Sequence, residues 1–112
     1  MDKARTLKLN KEFRRLYYRG RCQATHLLVM YAGKNHLKTV RLGITAGKKV
    51  GGAVERNRAK RVLRAAFAAV EDRIQPGFDL VLVARTATPG AKSQEVQRDL
   101  EKALGKLGLL RQ

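Results

Sequence analysis

The chain of 112 residues is short of acid, with nine Asp and Glu against 25 Lys and Arg. Only Asp2, Glu12 and Glu55 fall within residues 1–64, and they are scattered. Hydrolysis by protein side chains generally draws on clustered carboxylates that hold metal ions, or on a well-placed histidine. No paired acids, no H-E-x-x-H and no triad spacing occur, so no catalytic residue and no metal ligand is assigned. Cysteine is single, at Cys22, which excludes an internal disulfide and a cysteine-cluster zinc site and fits a reduced, cytoplasmic setting. No catalytic signature surrounds Cys22, which reads as an incidental small residue. His26 and His36 are too far apart and too poorly accompanied to suggest a metal site, and both are expected to be satisfied or solvated. No apolar run is long enough to cross a membrane. The start, Met1-Asp2-Lys3-Ala4-Arg5, leads into charge rather than an apolar segment, so no signal peptide is expected.

What the chain does have is positive charge, unevenly placed. Residues 1–64 hold 18 Lys and Arg against three acids, a net of +15, whereas residues 65–112 hold seven against six, a net of +1. A merely solubilising charge would not be so lopsided. The field suits a polyphosphate partner. An acidic membrane surface fits less well, because the apolar side of the basic segment is mostly alanine with one Phe.

That segment runs from Leu42 to Phe67 and reads as a strand end, a glycine-rich loop and a helix. Ala59, Val62, Leu63, Ala66, Phe67 and Val70 recur at helical spacing and form one apolar stripe. Asn57, Lys60, Arg61 and Arg64 fall on the opposite side, with Arg56 and Arg58 flanking the start. The face offers several donors and no acceptor except the Asn amide oxygen, so it is built to meet an anion. The loop Ala46–Gly52 carries Lys48 and Lys49 among three glycines and feeds a helix N-terminus. It lacks the G-x-x-x-x-G-K-[ST] pattern, which argues against a nucleoside triphosphate site. Taken alone, a flexible turn with two solvated lysines explains it equally well.

The remaining order follows from periodicity and turn residues. Residues 1–9 read as a basic, irregular or mobile arm. Asn10 caps a short helix to Arg19, which Gly20 ends at the C′ position. Phe13, Leu16 and Tyr17 share one face of it; spacing alone favours core for all three, with rings stacking on unpaired bases as the alternative. His26–Ala32 is a buried strand, and another short strand begins within Arg21–Thr25. Val40–Thr45 is a strand with Val40, Leu42 and Ile44 on one face. The central helix ends near Arg73, Phe78–Ala84 is a strand, and Asp79 on it is expected to be edge-exposed. A last helix starts at about Ser93 with Val96, Leu100, Ala103, Leu104 and Leu107 inward. Its Arg98, Asp99, Glu101 and Lys102 form a solvated outer side. The prediction is one α+β domain over residues 1–112, in the order αβββαβα around a small central sheet.

The segment Lys48–Phe67, K-K-V-G-G-A-V-E-R-N-R-A-K-R-V-L-R-A-A-F, closely resembles the signature of the bacterial ribonuclease P protein component, with R-N-R at Arg56–Arg58 and A-K-R at Ala59–Arg61. The resemblance extends to L-x-x-x-x-E-F-x-x-x-Y-x-x-G at Leu7–Gly20, L-V-M-Y at Leu28–Tyr31, R-L-G-I-T at Arg41–Thr45 and D-L-V-L-V-A-R at Asp79–Arg85. Gly47 and Gly52 depart from it, standing where Ser and Asn are common. The resemblance implies an α-β sandwich with a left-handed βαβ crossover, against the general preference for right-handed ones. It implies a catalytic RNA as obligate partner, which cuts the 5′ leader from precursor tRNA with Mg2+ that the RNA uses. Lys48, Lys49, Arg56, Asn57, Arg58, Lys60, Arg61 and Arg64 would contact that RNA. Phe13, Tyr17 and Tyr31 would line a cleft for the single-stranded leader, which reverses the core reading of the first two. No protein partner is evident. The alternatives are a structural RNA-binding protein of ribosomal type and, less well supported, a DNA-binding module without an apparent dimer interface or helix-turn-helix pattern.

Overall fold

A computed structural model of the chain describes residues 5–7 and 10–111. Five strands, Arg5–Thr6 (β1), Arg21–Ala24 (β2), Leu28–Lys34 (β3), Arg41–Thr45 (β4) and Phe78–Ala84 (β5), form one sheet in the order β1-β4-β5-β3-β2. The helices are Asn10–Arg19 (α1), Ala53–Val70 (α2) and Ser93–Lys106 (α3). From α1 onward the order is αβββαβα, as expected. Strand β5 lies in the middle, parallel to β4 and antiparallel to β3, while β2 pairs antiparallel with β3. Because β4 and β5 are parallel neighbours, α2 is the crossover between them. Among the described residues no helix is long and apolar enough to cross a membrane.

The sheet is covered on both faces, which is why β5 reads as an unbroken apolar run from Leu80 to Ala84. Leu80, Leu82 and Ala84 of β5 join Leu28, Met30 and Ala32 of β3 against Leu63, Phe67 and Val70 of α2 and Val96, Leu100 and Leu104 of α3. The apolar stripe of α2 is the one its spacing predicts; Val62 is half-buried and its other members are buried. On the opposite face Leu7, Leu16 and Val81 are buried together, with Phe13, Tyr31 and Val83 packed around them. Among the described residues α1 is therefore the one helix on that side, covering only part of the sheet.

The structure corrects several expectations. Within the supposedly irregular arm, Arg5–Thr6 is a strand parallel to β4, and Leu7 is buried with its N–H bonded to the Leu42 carbonyl. Residues 1–4, 8 and 9 of that arm lie outside the described residues. Gly20 does end α1, but not by adopting a left-handed conformation, since the positive-φ glycines are Gly51, Gly77 and Gly108. It is needed for close approach: a Cβ there would come within 2.5 Å of the Leu16 carbonyl oxygen and 2.9 Å of that of Ala32. Helix α2 stops at Val70, and Glu71–Arg73 continues as a separate 3-10 turn.

Asp79 is not edge-exposed. It stands on the central strand at 8% exposure, opposite Arg41 in the parallel register. Arg41 donates Nε–H and Nη2–H to its two carboxylate oxygens at 2.7 and 2.6 Å, and Nη1–H to Glu12 of α1 at 2.6 Å. Asn35 Nδ2 adds a bond to Asp79 at 2.9 Å. The outer side of α3 is not free either. Asp99 accepts the Leu27 N–H at 3.0 Å and Glu101 pairs with Arg73 at 2.6 Å, so both acids tie α3 to its neighbours.

Candidate nucleic-acid interface

The cationic face is assembled on α2 and the turn before it. Lys48–Val50 forms one 3-10 turn, and Gly51 follows at φ 141°, a conformation that favours glycine. Gly52 then stands at the N-cap of α2 with no side-chain cap bond, so no side chain of the cap residue satisfies the first N–H groups of the helix. Burial of the apolar stripe forces the polar residues outward. Asn57, Arg58, Arg61 and Arg64 are exposed, as are Lys48 and Lys49, while Lys60 is half-buried. Arg56 differs from the others: it is half-buried, and its Nε–H turns back to the Gly52 carbonyl at 3.4 Å. None of these cations has an acidic partner among the described residues, where the ion pairs are Arg41 with Glu12 and Asp79, and Arg73 with Glu101.

The aromatic residues lie on the other side of the sheet, around α1. Tyr17 is 41% exposed, and its ring meets Tyr31 of β3 edge-on, with centroids 4.9 Å apart and planes at 76°. Burial, followed by the proximity of Cys22 across the β2–β3 ladder, raises the Tyr31 pKa above its ordinary 10.0. Phe13 is half-buried and lies directly over Gly43, where any Cβ would come within 2.6 Å of the ring. Glycine in β4 is what lets α1 settle there. A groove of about 380 Å³ is lined by Asn10, Phe13, Arg14, Tyr17 and Thr45. Phe13 and Tyr17 thus face it directly, whereas Tyr31 reaches it by supporting Tyr17.

The two surfaces meet at the end of β4. Thr45 borders the aromatic groove and is followed at once by the loop with Lys48 and Lys49. A smaller pocket of about 140 Å³ joins Phe13 and Gly43 to Arg64 of α2. The sequence did not point to Asn10, Arg14 or Thr45 as groove residues. The Glu12–Arg41–Asp79 network was also missed, although its signal is present: β4 and β5 each carry one charge near their start, of opposite sign, and in parallel register these become partners. Among the described residues, no group of three or more His, Cys, Asp or Glu is placed to hold a metal ion. Cys22, His26 and His36 are exposed.

The fold and these surfaces define a three-layer α-β sandwich of a kind already solved. The ribonuclease P protein of Staphylococcus aureus superposes with a TM-score of 0.83 at 32% identity, covering 97% of this chain and 100% of that one. The corresponding protein of Thermotoga maritima gives a TM-score of 0.80 at 28% identity, over 90% of this chain and 96% of that one. The family model described as Ribonuclease P matches residues 1–108. A curated relative from Clostridium kluyveri, named ribonuclease P protein component, is 38% identical over 105 residues, 92% of this chain and 94% of its own length. One from Oceanobacillus iheyensis, of the same name, is 38% identical over 112 residues, 99% and 93% of the two chains. The chain belongs to the ribonuclease P protein family, the protein components of an endoribonuclease of tRNA processing.

Proposed function

We propose that the chain docks through the cationic face of α2 and the Lys48–Lys49 turn on a catalytic RNA, and that the groove beside α1 holds the single-stranded 5′ leader of precursor tRNA. The observation that carries this reading is convergence: unpartnered cations and a groove of aromatic rings come together at the end of β4. Arginine forks and lysine ammoniums suit phosphates whatever the sequence, and stacking on aromatic rings is likewise sequence-tolerant. A protein that must accept many leaders needs both properties.

Hydrolysis of the leader is assigned to the RNA subunit, with Mg2+ held there. Among the described residues the donor set does not fit a protein-held ion: no group of three or more His, Cys, Asp or Glu is placed for one, and Glu12 and Asp79 are both bonded to the Arg41 guanidinium. The protein contributes a positive field that gathers RNA phosphates, together with a stacking surface that orients the strand entering the site. Its setting is the cytoplasm.

The test compares leader-bearing precursor with leaderless mature tRNA on holoenzyme carrying Phe13→Ala or Tyr17→Ala. A base stack is worth ~1–3 kcal/mol, so affinity for the precursor should fall roughly 5- to 150-fold with little change for mature tRNA. Equal losses for both substrates would make the rings core packing and remove the leader from the groove.

A further inference from the structure

The flank of α1 facing away from the aromatic groove is a second cavity, of about 590 Å³, between α1 and the β3–β4 end of the sheet. Lys11, Arg15 and Arg19 line it from successive turns of α1, and Lys34 and His36 line it from the end of β3 and the turn after it. All five are exposed, and none has an acidic partner among the described residues. The acids in its wall, Glu12 and Asp79, are already bonded to Arg41. The mouth therefore carries four fixed positive charges over a wall whose two carboxylates and one guanidinium leave a net of only −1.

We infer that this cavity is a phosphate-binding site separate from both α2 and the aromatic groove. Residues 11, 15 and 19 repeat every four positions and so run along a single flank of the helix. At ~1.5 Å per residue the row is about 12 Å long, longer than one phosphate group and matched to a run of phosphodiesters. Lys34 closes the opposite side, so a strand in the cavity meets cations from both walls. Specific base contacts are not called for, because the inner lining is Leu16, Gly20 and Gly33 with the Glu12–Arg41–Asp79 network, whose polar groups are bonded to one another. Helix α1 is then straddled, with a strand stacked on Phe13 and Tyr17 on one side and a phosphate backbone held on the other. Assigning the backbone to RNA rests on the function proposed above; the anion site does not.

The test follows backbone amide shifts of the isotope-labelled full chain during titration, once with a short single-stranded oligoribonucleotide and once with inorganic tripolyphosphate. The site predicts saturable shifts centred on residues 33–36 and along 11–19 in at least one titration. The double variant Arg15→Gln/Lys34→Gln, both surface positions, should weaken that binding about tenfold or more. It should also lower the log–log salt slope by about 0.7 per lost contact, while residues 56–64 respond as before. Saturation by tripolyphosphate at equal affinity would identify free oligophosphates as the source, and saturation by the oligoribonucleotide alone an RNA strand. Shifts spread evenly over all basic residues, or affinity unchanged in the double variant, would overturn the site. Retained Arg61-dependent docking on ribonuclease P RNA would show that the failure is of this site and not of the proposed function.

Discussion

Replacing Arg41 by Met keeps the aliphatic stem and removes the guanidinium that joins α1 to the centre of the sheet. Three short bonds are lost, two to Asp79 and one to Glu12, at 2.6–2.7 Å. The side chains are mostly withdrawn from water, 27% exposed for Arg41, 18% for Glu12 and 11% for Asp79. Removing one partner of a buried pair costs about 3–5 kcal/mol, because the other charge is left unpaired. Here two carboxylates are left facing each other, but Asp79 keeps the Asn35 amide and Arg41 is a quarter exposed, so the lower end, about 3 kcal/mol, applies. For a domain whose total stability is ~5–15 kcal/mol this is a large fraction, and Tm should drop by roughly 10–20 °C. The Arg41 pKa lies above its ordinary value, chiefly through the Asp79 hydrogen bond. A raised folded pKa means that its contribution is complete below the unfolded value and is lost only above it, so the wild type shows no Arg41-linked change in the usable pH range. Urea unfolding of both proteins at pH 7, followed by circular dichroism, measures the deficit. A variant within ~0.5 kcal/mol of wild type would refute the reasoning. The isosteric combination Glu12→Gln/Arg41→Met/Asp79→Asn should recover much of the loss.

Other outcomes follow from the same geometry. Arg58→Ala and Arg61→Ala should each weaken binding to ribonuclease P RNA and reduce the log–log salt slope by about 0.7–0.9, since each removes a phosphate contact; unchanged slopes would take those two residues off the interface. Gly43→Ala must push Phe13 off the sheet, so it should destabilise the fold by about 1–3 kcal/mol and weaken precursor binding in parallel. An unaltered Phe13 environment by NMR would contradict that packing. Tyr31 should ionise above pH 10, resolved as the difference between ultraviolet titrations of wild type and Tyr31→Phe. Because its folded pKa is raised, the phenol's contribution to stability is complete below pH 10 and declines as pH rises through the folded value; a transition below pH 10 would show that Tyr31 is not desolvated.

The parts of the fold legible in the sequence are those where one physical signal dominates. Phe78–Ala84 is apolar except for Asp79 and is bounded by Pro76-Gly77 and Arg85, and it is a strand over that span. The stripes of α2 and α3 repeat at helical spacing and are buried as spaced, except that Val62 is half-buried and Leu107, half-buried too, stands just past the end of α3. Elements that depend on a distant partner were not legible. Arg5–Thr6 has no strand pattern of its own and becomes β1 only because β4 offers a free edge. Asp79, Asp99 and Glu101 look like solvent-facing charges until register and helix packing bring Arg41, the Leu27 amide and Arg73 to them. In the candidate site, the cations of α2 could be read from periodicity, which sets what the core excludes. The groove could not, because Phe13 and Tyr17 share a helix face with buried Leu16, and only the partial cover that α1 gives the sheet leaves Tyr17 open.

The most direct test of the central claim is precursor-tRNA cleavage at low Mg2+ by RNA-free protein, by a bacterial ribonuclease P RNA alone, and by the two together. The account predicts cleavage at the mature 5′ end only when both are present, and its loss when Arg58 and Arg61 are both replaced by Ala. Cleavage by the RNA-free protein, or tight RNA binding without stimulation of cleavage, would contradict it.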